Sequence, residues 1–381
     1  MVGSIDGKNS MIYEHEIKAL KRSGRFRERQ LYDDSLRDLA SNDYLGLSTK
    51  KKHLNKAIKL LGDYPTISPK ASMIVNGYHP IHRILEMELA RANGFEKGMI
   101  VGSGFLANLA LIESLVRKGD RLFIDEEYHA SGVLASQLLG GRVVQFRHND
   151  VADLKEKLEV FPAKRQIVAI EGVYSMSGAL AKKEIFDLAE EKQALLIVDE
   201  AHSAGVLGWK LQGIFEYYGI PITERHIKMG TLSKAYGSYG AYILANEEVI
   251  SFLENRAKSI IYSTAPSLID TALALVNFRY IGKKTEKISA EIRERQVMVA
   301  KEFGIHLQSL ILPIEVQSNE QALFLQQELM AQGYLVGAIR QPTVSCPIMR
   351  VILSLGVPQC ETKDALALIH HHLDYKHAPF A

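Results

Sequence analysis

From about residue 80 the chain alternates helical periods with short apolar runs: IHRILEMELARANG, GMIV, NLALIESLVRKG, RLFID, ASGVLASQLLGG, RVVQF, VADLKEKLEVF, QIVAIEG, EIFDLAEEKQ and ALLIVDEAH. Short apolar runs ending in Gly, Asp or Glu, each followed by a helical pattern, belong to a mostly parallel sheet covered by helices on both faces. This rhythm makes the fold class α/β before any motif is read. Ligands bind beyond the C-terminal ends of such strands, because loops and helix N-termini converge on that rim.

A second rhythm starts near residue 266, where the charged helical pattern TEKISAEIRERQVMVAKEFG leads into LPIEVQ, ALFLQQELMAQGY, LVGAIR and MRVILSL. It predicts a smaller α+β domain at 266–381, after a large α/β domain at 46–265 and an N-terminal lead at 1–45. Residues 12–30 of that lead read as a basic helix face with Arg22, Arg25, Arg27 and Arg29. The 46 basic and 44 acidic residues nearly cancel and form no long block of one sign, which argues against a nucleic-acid surface. Cys346 and Cys360 have no metal or disulfide spacing, and the N-terminus lacks the apolar segment of a secretory signal, so a reducing, cytoplasmic setting is expected. GMIVGSGFLANLALIESLV holds three glycines, Asn108 and Glu113, and is read as a strand passing into a helix rather than a membrane span.

The polar motifs fall beyond the strand ends. LLIVDEAHSAGVLG sets Asp199 and His202 after an apolar run. A carboxylate at the mouth of a buried strand is costly to desolvate unless a cation or donor meets it, although such an Asp can also cap the next helix. IDEEYHASG places His129, and AIEGVYSMSGAL places Ser175, after two further runs. In VGSGFLAN, Ser103, Gly104 and Phe105 offer amides at a helix start suited to an anion. The same segment also matches G-x-G-x-x-A through Gly102, Gly104 and Ala107, with Asp125 beyond it, the pattern of a nicotinamide-dinucleotide site.

In MGTLSKAYGSYGAYILA, Lys234 stands among small and hydroxylic residues. A partly desolvated lysine near anions can shed its proton and bond a carbonyl carbon. With an acid for a ring nitrogen and a phosphate cradle, the set is what pyridoxal 5'-phosphate requires. His370, His371 and His372 are consecutive, so they point in different directions around a helix and no metal is expected there.

SNDYLGL, VGSGFLAN, YHASG, EGVYSM, VDEAHSAGVLG, GTLSKAYGSYG, IYSTA and VGAIRQPTV occur in this order between about residues 36 and 355. Together they resemble the α-oxoamine synthases, acyltransferases among the fold type I pyridoxal-phosphate enzymes. DEAHSAGVLG and SNDYLGLS lean toward members that join L-alanine to a pimeloyl thioester, carried on CoA or acyl-carrier protein, in biotin biosynthesis. Members that make 2-amino-3-ketobutyrate or 5-aminolevulinate, or that condense serine with a palmitoyl thioester, share the framework.

The resemblance implies that Lys234 bonds the cofactor, Asp199 pairs with its ring nitrogen and His129 stacks on the ring, while Ser175 and His202 reach its phenolic oxygen side. It implies that Ser103, Gly104, Phe105 and Thr231 hold the phosphate, with Thr264 arriving from the second subunit of a homodimer. Asn42 and Arg350 would bind the amino-acid carboxylate, Thr343 would lie on the substrate side, and Arg25 or Arg27 would face the far carboxylate of the acyl chain. The chain departs from the family pattern at Met73, where many relatives carry arginine, at Ser177, where aspartate is usual, and at Gln341, where a proline is usual. Two further readings remain: a nicotinamide oxidoreductase, and a noncatalytic pyridoxal-phosphate-holding module.

Overall fold

The computed structural model describes residues 12–373, and the chain divides into two compact units, Met1–Leu36 and Arg37–Ala381. In the first, the helix Glu14–Arg22 carries Glu14 and Glu16 in its first turn and Lys21 and Arg22 in its last, complementing the helix dipole at both ends. The helix buries no residue and stops at Arg22, well short of the expected residue 30, because the chain turns through Gly24 at φ +66°. Arg25 and Arg27 follow the helix, both exposed.

The described residues of the second unit form twelve strands. They are β1 (Arg37–Asp38), β2 (Lys97–Val101), β3 (Arg121–Asp125), β4 (Val143–Phe146), β5 (Gln166–Glu171), β6 (Leu195–Asp199), β7 (His226–Thr231), β8 (Ala241–Ala245), β9 (Ile311–Glu315), β10 (Tyr334–Leu335), β11 (Gly337–Ile339) and β12 (Ile348–Ile352). The large sheet has the order β2-β8-β7-β6-β5-β3-β4. Its neighbours pair in parallel from β7 to β4, and β8 runs antiparallel to both β2 and β7. Only residues 232–240 join β7 to β8, too short a link for the helical crossover a parallel return needs.

Side chains alternate between two cores, one on each face of this sheet. Phe123, Val168, Ile170, Leu196 and Val198 enter one, while Leu122, Ile124, Ile167, Ala169 and Ile197 enter the other. That is the period of two expected of strands buried on both faces. β7 escapes the list of apolar runs because it carries His226 and Lys228, yet all its residues are buried. Lys228 is tolerated there because Nζ donates to Asn93 Oδ1 at 2.8 Å and lies 3.3 Å from Glu200 Oε1.

The second rhythm forms an antiparallel sheet in the order β11-β12-β9 with the helices Asn319–Ala331 and Gln359–His372, while β1 pairs in parallel with β10. The segment weighed as a membrane span is β2 followed by the helix Gly104–Leu115. No helix among the described residues is long and apolar enough to cross a membrane.

Candidate active site

Glu171 and Asp199 end β5 and β6 and face one another in register. By the alternation of the strands both lie on the face of Ile167 and Ile197, against which the helix Gly104–Leu115 packs. That helix supplies Asn108, fully buried, whose Nδ2 donates to Asp199 Oδ2 at 2.9 Å and to Ser131 Oγ at 3.0 Å. Tyr128 Oη donates to Asn108 Oδ1 at 2.8 Å, which fixes the direction of the amide. Asp199 Oδ1 accepts the Ala201 amide at 2.9 Å. The carboxylate, 3% exposed, is thus held by donors and aimed by them.

Glu171 Oε2 accepts the Ser175 amide at 3.0 Å, whereas Oε1 is buried without a hydrogen-bond partner. Burial first, and Asp199 second, push its carboxyl well above the usual range, while Lys234 pulls it down.

Thr231 ends β7, and Lys234 lies three residues on, in the turn whose Gly237 amide bonds the Lys234 carbonyl at 2.8 Å. Lys234 Nζ stands 2.7 Å from His202 Nε2. Burial lowers the amine to about 8, against the pull of Asp199 and Glu171, which favour its charge, and with help from Arg350. His202 is lowered well below the usual histidine range by burial, with Lys234, Arg350 and His129 adding to the shift, and so is neutral.

His129 opens the helix Ala130–Gln137, its Nδ1 accepting the Ser131 amide at 3.2 Å. The ring keeps exposed area, and its pKa is lowered by burial and by Lys234 in spite of Asp199. Ser103 caps the helix Gly104–Leu115, its hydroxyl accepting the Leu106 amide at 3.2 Å. The amides of Gly104 and Phe105 follow in the first turn, where the helix offers no acceptor. Phe105 is exposed.

The carboxylate-binding candidates come together from opposite ends of the unit. Arg350 on β12 is buried and donates from Nη2 to Asn42 Oδ1 at 3.0 Å and from Nε to the Ser175 carbonyl at 2.8 Å. Ser175 therefore joins Glu171 to Arg350 through its backbone.

Thr264 is exposed and shares a shallow depression with Met73, Gly102 and Ser263. Thr343 is exposed in the loop between β11 and β12, its amide bonded to the Arg340 carbonyl at 2.9 Å. Arg25 and Arg27 belong to the other compact unit.

The dinucleotide reading fails on geometry. β2 sits at the edge of the sheet and pairs only with the antiparallel β8, whereas that fingerprint belongs to a parallel βαβ unit at a switch point. Asp125, its ribose-binding acid, already accepts four bonds, from Glu127 and Asn149 amides, His148 Nδ1 and Tyr174 Oη, at 2.8–3.0 Å.

The ring nitrogen of pyridoxal phosphate needs a buried acid, the aldehyde an amine near its free base, and the phosphate a cluster of amides and hydroxyls. Asp199, Lys234 and the Ser103–Gly104–Phe105 turn meet these needs, so the residues fit. A buried acid and a near-neutral lysine on the rim of a mainly parallel seven-stranded sheet define the fold type I class of pyridoxal-phosphate transferases.

The comparison with family models narrows that class: the chain belongs to the aminotransferase class I and II family, whose model matches residues 35–367. It is 46% identical over 355 residues to the 8-amino-7-oxononanoate synthase of Helicobacter pylori strain 26695, covering 93% of this chain and 95% of that one. Among solved structures, a serine palmitoyltransferase from S. paucimobilis with bound PLP superposes with TM-score 0.84 at 24% identity, over 94% of this chain and 96% of that one. The 8-amino-7-oxononanoate synthase of Francisella tularensis gives TM-score 0.75 at 25% identity, over 90% and 99%.

Three residues escaped the sequence reading of the site: Tyr44, Asn108 and Glu171. Tyr44 sits inside SNDYLGL, and its hydroxyl reaches His202 at 2.6 Å, 158 positions away. Glu171 carried a signal, since it ends the QIVAIE run as Asp199 ends LLIVD. Asn108 carried none beyond being polar in an apolar helix.

Proposed function

We propose that this chain is an acyltransferase that condenses L-alanine with a pimeloyl thioester, releasing CO2 and the thiol and giving 8-amino-7-oxononanoate for biotin biosynthesis, in the cytoplasm and as a homodimer. The observation that carries the reading is Lys234 Nζ, lowered to about 8 and 2.7 Å from His202, on one rim with Asp199 and the Arg350–Asn42 pair.

Bound pyridoxal phosphate supplies an electron sink for the carbanion formed at the amino acid's Cα. Lys234 would bond it at rest and, freed as the neutral amine, would hold and move the proton at Cα of alanine. Asp199 keeps the ring nitrogen protonated. His129 would cover the ring, and Ser175 and His202 would serve its phenolic oxygen side. Ser103, Gly104, Phe105 and Thr231 bind the phosphate, joined by Thr264 of the second subunit. Arg350 and Asn42 hold the alanine carboxylate, and two-point binding by a planar guanidinium orients the Cα bonds for cleavage. Thr343 faces the substrate, and Arg25 or Arg27 takes the distal acyl carboxylate.

The test is a CO2-release assay on purified protein with L-alanine, glycine or L-serine and a pimeloyl thioester. Turnover with alanine, lost in Lys234→Ala, is the expected result. Turnover only with glycine or serine would move the chain to another branch of the family, and turnover with none would refute the proposal.

A further inference from the structure

The hydroxyl of Tyr44 joins the two halves of the site. Its Oη lies 2.6 Å from His202 Nδ1 and 3.5 Å from Asn42 Oδ1, with the Arg350 guanidinium beside it. The other ring nitrogen of His202 faces Lys234 Nζ at 2.7 Å, and Asn42 Oδ1 accepts from Arg350 Nη2 at 3.0 Å. A continuous polar path therefore runs from the lysine amine through His202, Tyr44 and Asn42 to Arg350. Tyr44 is 1% exposed and meets the His202 ring edge-on, so it has little freedom to turn away.

We propose that Tyr44 is a positioning residue that fixes the tautomer of His202: its hydroxyl donates to Nδ1, the imidazole carries its one proton on Nε2, and that N–H points at Lys234 Nζ. The reasons are donor counts and lengths. Arg350 has donors only, so it meets the lone pairs of Oη and leaves the phenolic hydrogen for another acceptor. Of the two acceptors in reach, Nδ1 at 2.6 Å is well placed and Asn42 Oδ1 at 3.5 Å is poor. The phenol keeps its proton, since burial pushes it up to about 12. The imidazole is neutral, being lowered by burial, Lys234, Arg350 and His129, and so has one donor and one acceptor.

An N–H aimed at the amine favours the free base, because an ammonium has three donors and no lone pair to receive it. Asp199 and Glu171 pull a proton onto Lys234 and Arg350 opposes them. The tautomer set by Tyr44 adds to the side of the free base, the form that bonds a carbonyl and takes a proton from Cα.

The proposal rests on Lys234 being the reacting amine, but its test needs no substrate. Histidine ring nitrogens of the 15N-labelled full-length chain are read by NMR, with His202 assigned from its loss in His202→Gln. The wild type is expected to show the Nε2–H tautomer. Tyr44→Phe is expected to show a mixture, and to raise the pH midpoint for pyridoxal phosphate uptake by about half a unit to one unit. A ring protonated on Nδ1 in the wild type overturns the proposal. So does a Tyr44→Phe protein that melts earlier but keeps its tautomer and pH midpoint, the outcome of a packing role alone. Should Tyr44→Phe fail to fold, the wild-type ring signals decide by themselves. A failed alanine assay with the expected ring signals would overturn the substrate reading and leave this one standing.

Discussion

At the scale of residues, Lys234 is balanced between opposing influences: burial and Arg350 expel its proton while Asp199 and Glu171 attract it. The result, about 8, lies below the usual lysine value of 10.5. Only the free base attacks an aldehyde, so pyridoxal phosphate uptake is expected to rise about tenfold per pH unit below pH 8 and to level off above it. A stopped-flow series over pH 6–10 checks this, and a midpoint above roughly 10 would place the amine in water. The lysine and Asp199 were legible because each carries a local signature, small neighbours for one and the end of an apolar run for the other. Tyr44 and Arg350 gain their roles from partners far away in sequence, His202 at 158 positions and Asn42 at 308. No local pattern records such distances, and family resemblance alone pointed to Arg350.

At the scale of elements, the turn 232–240 decides where the lysine stands. Leu232 and Gly240 close its base by a backbone bond of 2.8 Å, and Gly237 crosses it at φ +53°. A Cβ on Gly237 would lie 2.7 Å from Leu47 Cβ and 2.8 Å from the Leu47 carbonyl carbon, in a backbone conformation that L side chains disfavour. Gly237→Ala is therefore expected to cost about 1–3 kcal/mol and to weaken cofactor uptake as the turn shifts. Thermal melts and uptake rates measure the two effects, and unchanged values for both would mean that the turn yields freely. The strand and helix rhythm of the large sheet was legible from its apolar runs. β7 was not, because Lys228 and His226 look like surface residues until Asn93, Glu200 and Gln212 are seen around Lys228. The N-terminal helix was legible in kind but too long, since its basic composition continues past the glycine that stops it.

At the scale of the whole molecule, strands and loops distant in sequence place their chemistry on one rim. β5, β6 and β7 bring Glu171, Asp199 and the Lys234 turn, and β12 brings Arg350 to Asn42. The α/β order of the large sheet could be read from the sequence, but the meeting of Asn42 with β12 could not, because it depends on how the C-terminal sheet packs. The fold also buries a second lysine, which gives the account a sharp internal contrast. Lys228 is 1% exposed and lowered by burial, like Lys234, yet its Nζ is tied to Asn93, the Gln212 carbonyl and Glu200. Lys234 faces a neutral imidazole instead. The most direct measurement is borohydride reduction of the full-length chain loaded with pyridoxal phosphate, followed by mass spectrometry of its peptides. One cofactor per chain, attached to Lys234 and missing from Lys234→Ala, is the predicted result; attachment to Lys228 or another lysine in its place, or none at all, would contradict the account.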